Sequence, residues 1–84
     1  MFRLIFLGVN FSYFYERETE QYMLCWHKYD IDIILKDEDA QLFRQQIEMI
    51  KSGPEKDVKA KTERFISIYF YFKYAFPMPQ FVET

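Results

Sequence analysis

The stretch Cys25-Trp26-His27-Lys28-Tyr29-Asp30-Ile31-Asp32 holds a thiol, an imidazole and two carboxylates, the groups from which a nucleophile–base pair or a metal site is built. An imidazole nitrogen must come within about 2.6–3.2 Å of a thiol to take its proton. On a strand Cys25 and His27 point the same way, but two residues of rise set them ~6.6 Å apart, so direct pairing needs a bend. A zinc site wants three or four ligands at recognisable spacing, and the chain has one cysteine and one histidine. The simpler reading is a buried cysteine beside a half-exposed histidine. A small enzyme centred on Cys25 and His27 stays as an alternative, and it predicts fast thiol alkylation at neutral pH.

Two acid-rich stretches, Glu16 to Glu20 and Asp37 to Asp39, could serve as general acids or bind a cation. They read more simply as a solvated turn and a helix start, because carboxylates favour the positive end of a helix dipole. With two glycines in 84 residues there is no phosphate-cradling loop, and neither a nucleophile elbow nor a hydrolase triad spacing occurs. Neither cofactor nor metal is expected. The aromatics Phe11, Tyr13, Tyr15, Tyr22 and Trp26 could stack unpaired bases if they lay open on a sheet. That chemistry needs nearby cations, and Arg3, Arg17 and Lys28 are the only ones before residue 36. A net charge of −2 adds no attraction to phosphates, so single-stranded nucleic-acid binding is a lesser alternative and nucleic acid is not the expected partner.

The elements that position these residues can be read from pattern. From Phe2 to Tyr15 the residues are mostly β-branched or aromatic, and Val9, Phe11, Tyr13 and Tyr15 alternate with Asn10 and Ser12, which predicts a strand over about 2–15. Gly8 marks a bulge or bend within it. The charged run Glu16 to Glu20 reads as the connection of a hairpin, joining this strand to a second over about 21–35, and a bend near Lys28 to Asp30 would divide that second strand and give three. Asp37 is placed to cap a helix over about 38–51 with the stripe Ala40, Phe43, Ile47 and Ile50, ended by Gly53 and Pro54. Pro54 and Glu55 open a second helix over about 55–74, with Val58, Thr62, Phe65, Tyr69, Phe72 and Phe76 along one face. Read instead as a strand, Phe65 to Phe76 would add to the sheet; Pro77, just past the run, favours the helix. The tail 77–84 is expected to be extended. The fold class is α+β: one small domain over 1–84, an N-terminal antiparallel hairpin or three-stranded meander followed by two helices packed on one face.

Eighteen aromatic residues at about 150–250 Å² each claim a large share of the roughly 9,700 Å² that a 10.4 kDa chain buries on folding. Six rings fall between Ile66 and Phe76. This excess of apolar area points to a surface covered from outside, because large exposed apolar patches mark contact sites. The expected function is a non-enzymatic protein–protein interaction module, a self-associating small regulator or a subunit of a larger assembly. Its contact residues would be Phe65, Tyr69, Tyr71, Phe72, Lys73, Phe76 and Phe81, and its partner another protein or a second copy. No apolar run approaches the ~20 residues of a membrane span, and no signal-peptide pattern opens the chain. A single cysteine fits a reducing compartment, so a cytoplasmic location is expected.

Overall fold

The computed structural model describes residues 1–53 and 57–74. It shows an α+β fold in which one four-stranded antiparallel sheet is followed by two helices. The strands β1 (Arg3–Leu7), β2 (Phe11–Glu16), β3 (Gln21–Trp26) and β4 (Ile31–Leu35) lie in sequence order as a meander. Helices α1 (Asp37–Lys51) and α2 (Val58–Tyr74) complete it. The expected tail and residues 54–56 lie outside the described residues.

The run expected as one strand over 2–15 is a hairpin, which is why the meander has four strands and not three. Gly8 lies in the turn between β1 and β2, its N–H donating to the Phe11 carbonyl at 2.8 Å. The bulge falls earlier, where the register slips between Leu4 and Phe6. Glu63 of α2 locks the turn: its carboxylate accepts from the backbone N–H of Asn10 at 2.7 Å and of Phe11 at 3.1 Å. A Cβ on residue 8 would stand 2.6 Å from Glu63 Cδ, so close approach is what glycine permits here.

The two later turns fall at the charged run 17–20 and at 27–30, as the bend near Lys28 to Asp30 predicts. Each ends on a left-handed residue, Glu20 at φ 57° and Asp30 at φ 53°. Acidic side chains are thus accepted where glycine is more usual.

Alternation along the strands decides the two faces. Phe11, Tyr13, Tyr22, Leu24, Trp26, Ile33 and Leu35 face the helices and are buried. Phe43 of α1, fully buried, sits 5.1 Å from the Tyr13 ring and 4.9 Å from Tyr22. Phe70 of α2, equally buried, packs 5.7 Å from Phe11 and 5.6 Å from Trp26. On the opposite face the register aligns Leu4, Phe14, Met23 and Ile34 in one row across all four strands.

The stripe predicted for α1 packs as expected, with Ala40, Phe43 and Ile47 buried and Ile50 half-buried. Its start differs. Lys36, extended at φ −141°, is the N-cap residue and no side chain caps it, while Asp37 is already helical by pairing although its φ is 54°. Asp37, Glu38 and Asp39 therefore act through the helix dipole.

The second helix runs to Tyr74, so Phe65 to Tyr74 is helix and not a further strand. Its buried face is Thr62, Ile66, Ser67, Phe70 and Tyr71; of the predicted stripe Thr62 is buried, Val58, Phe65 and Tyr69 are half-buried and Phe72 is exposed. With apolar residues on every side of its last turns, periodicity could not fix the rotation. Thr62 and Ser67 enter the core because each hydroxyl donates within the helix, to the Val58 carbonyl at 2.7 Å and the Arg64 carbonyl at 2.6 Å.

Candidate functional site

The constellation around Cys25 resolves into a Ser12–His27 pair and a Cys25–Asp32 pair that meet at Ser12. Both ring nitrogens of His27 are engaged, Nε2 with Ser12 Oγ at 3.0 Å and Nδ1 with the Val9 carbonyl at 3.3 Å. This is a serine–histidine pair in form. Ser12 is only 3% exposed, however, which denies its hydroxyl access to a substrate. Cys25 lies opposite Asp32 on β4 and also beside Ser12, and burial followed by the Asp32 carboxylate pushes its thiol up to about 12. A thiol held protonated is a poor nucleophile. Among the described residues, no cluster of three or more His, Cys, Asp or Glu side chains is arranged to hold a metal ion, and no helix is long and apolar enough to cross a membrane.

The rings considered for base stacking lie on the helix-covered face. Phe11, Tyr13, Tyr22 and Trp26 are buried, and Tyr15 is half-buried. Arg44 of α1 covers Tyr15 at 5.2 Å from its ring and donates to the hydroxyls of Tyr15 at 2.8 Å and Tyr22 at 3.0 Å. Burial, with Tyr22 nearby, pushes the Tyr13 hydroxyl up to about 12.

An open apolar groove lies where α2 passes β4. There Ile33, Ile34 and Leu35 of β4, Asp39 of α1, and Phe65, Ile68, Tyr69, Phe72 and Lys73 of α2 line a groove of about 560 Å³. Its floor is made of packed rings: Phe65 stacks on Phe43 at 5.4 Å and Tyr69 meets both edge-on, at 5.4 and 5.9 Å. Its rim is apolar and open, with Phe72 85% exposed and Ile68 39%. Burial, and then the charge of Asp39, hold the Tyr69 hydroxyl above its usual range.

The groove gathers four of the residues expected at a contact surface: Phe65, Tyr69, Phe72 and Lys73. Tyr71 is not among them. It points into the core 5.9 Å from Trp26 and is 6% exposed, which corrects its expected place at the interface. Phe76 and Phe81 lie outside the described residues. Ile34 and Ile68 were missed by sequence reasoning. Ile34 carried a signal, because Asp32-Ile33-Ile34-Leu35 puts an apolar residue where alternation calls for a polar one. Comparison of the chain with protein-family models, curated proteins and solved structures gives no match.

Proposed function

We propose that this chain is a non-enzymatic interaction module that takes a protein partner at the groove between β4 and α2. The observation that carries the reading is Phe72, an aromatic side chain 85% exposed on the rim of an apolar groove whose floor is braced by packed rings. Aromatic residues with rigid support are the usual anchors of protein contacts. Lys73 and Asp39 add one charge of each sign to the lining, as the polar rim of an interface requires. A reducing, cytoplasmic setting fits the single cysteine. The enzyme alternative loses support from the raised thiol of Cys25, and the nucleic-acid alternative from the burial of the sheet rings.

The test uses 8-anilinonaphthalene sulfonate as an apolar probe, together with light scattering. The chain should enhance the dye's fluorescence, and Phe72→Glu should remove most of that enhancement without shifting the unfolding midpoint. A soluble monomer at high concentration that gives no dye signal overturns the proposal.

A further inference from the structure

The edge of β4 beside this groove has a definite hydrogen-bonding phase. The backbone N–H of His27 donates to the Asn10 carbonyl at 2.9 Å, so Asn10 and His27 form a bonded pair of the β2–β3 ladder. Bonded and non-bonded pairs alternate in an antiparallel ladder. Cys25 and Met23 therefore turn their backbone groups toward β2, and Trp26, Leu24 and Tyr22 turn theirs toward β4, where they meet Ile31, Ile33 and Leu35. It follows that Asp32 and Ile34 direct their N–H and C=O groups to the outer edge, where no described strand pairs with them. The other edge of the sheet, β1, is interrupted by its bulge, a common protection against strand addition. The register of β4 is unbroken.

We infer that this edge pairs antiparallel with the β4 edge of a second copy of the chain, about a two-fold axis at Ile34, to make one continuous sheet. The inference rests on the interaction reading above and names its partner. Parity allows axes at Asp32, Ile33 or Ile34, because only even-numbered residues face outward. An axis at Asp32 sets that carboxylate against its own copy, and an axis at Ile33 sets Asp32 against an apolar Ile34. An axis at Ile34 sets Asp32 opposite Lys36 of the second copy, and Lys36 opposite its Asp32. All are exposed residues on the face away from the helices, and Lys36 is in extended conformation. Opposite charges directly across a ladder stabilise it and like charges destabilise it. The same axis places Ile34 against Ile34 and joins the two rows of Leu4, Phe14, Met23 and Ile34 end to end. Charge and apolar pattern thus agree on one register, which is self-complementary as a two-fold interface must be. The grooves flank the axis, so pairing carries the exposed Phe72 of each copy toward the other.

The decisive experiment is sedimentation velocity on the full chain and three variants, with urea unfolding as a check on each fold. The full chain should dimerise. Ile34→Pro should be monomeric with an unchanged fold, because the Ile34 N–H faces outward and is not used by β3. Asp32→Lys and Lys36→Glu, each alone, put like charges opposite one another at both positions and should weaken the dimer by about tenfold or more. Mixing these two variants brings opposite charges together at both positions and should restore a dimer, now a heterodimer. Failure of the mixture to associate overturns the inference, as does a dimer that survives Ile34→Pro. A full chain that stays monomeric yet gives a dye signal lost in Phe72→Glu overturns the second copy while the groove reading stands. A truncation after Tyr74 that converts such a monomer into a dimer assigns the edge to the chain's own tail, and that also overturns the inference.

Discussion

The contact between Gly8 and Glu63 makes a prediction whose sign depends on a second residue. Substituting Gly8→Ala alone puts a methyl group 2.6 Å from Glu63 Cδ and 2.7 Å from its Cγ, closer than real contacts allow. Either the carboxylate moves off the Asn10 and Phe11 amides or the turn shifts. Overpacking of this kind costs about 1–3 kcal/mol. Glu63→Ala removes a charged acceptor from one exposed and one part-buried N–H, at a cost of about 1.5–3 kcal/mol, toward the lower end because water replaces the bond at Asn10. In the Glu63→Ala background the obstruction is gone. Because Gly8 does not have positive φ, Gly8→Ala should then stabilise the protein by about 0.4–1 kcal/mol through the unfolded chain. The cycle should show a coupling of about 1.5–4 kcal/mol and a change of sign. Urea denaturation followed by the fluorescence of Trp26, the only tryptophan, measures all four corners. Additive costs, or a Gly8→Ala penalty that persists without Glu63, would show that the carboxylate does not hold this turn.

Neighbouring rings on α2 should behave oppositely: Phe70→Ala should cost about 3–5 kcal/mol, because Phe70 is fully buried, while Phe72→Ala should change stability by under about 0.5 kcal/mol. Equal costs in chemical denaturation would mean that the helix is rotated from the orientation described. Native Cys25 should be alkylated at pH 8 about two to three orders of magnitude more slowly than in urea, since its thiol is pushed up to about 12; similar rates would refute that environment. The same shift works against the fold in alkali. A thiol that stays protonated when folded but ionises near 9 when unfolded leaves the native state holding more protons, so stability should fall from about pH 9 toward 12. Tyr13 adds to the fall above about pH 10, and Cys25→Ser should flatten the earlier part of the curve.

The fold class and most element limits were legible because local rules agreed with one another. The stripe of α1, the charged run before Gln21 and the bend at Lys28 to Asp30 each rest on patterns that burial then enforces. The Gly8 turn was half-legible, since its glycine signals a break but the partner that fixes the break is Glu63, far along the chain. The rotation of α2 was not legible. In Ile66-Ser67-Ile68-Tyr69-Phe70-Tyr71-Phe72 nearly every residue can be buried, and Phe11 and Trp26 on the sheet decide which ones are. For the same reason the excess of ring area lay mostly in the core, and much of the open apolar surface is aliphatic, from Leu4, Leu7 and Ile34. The groove combines an edge strand with the flank of a helix, a pairing that neither segment announces alone.

The link from Glu63 to Asn10 spans 53 residues, whereas each strand of the meander pairs with its immediate neighbour in the chain. The sheet can therefore form through short loop closures, but the docking of α2 against the first turn must close a span of 53 residues. Such distant closure is the slow event in folding small domains. Completion of the native state thus waits on α2, whose seat lies on the first turn of the sheet.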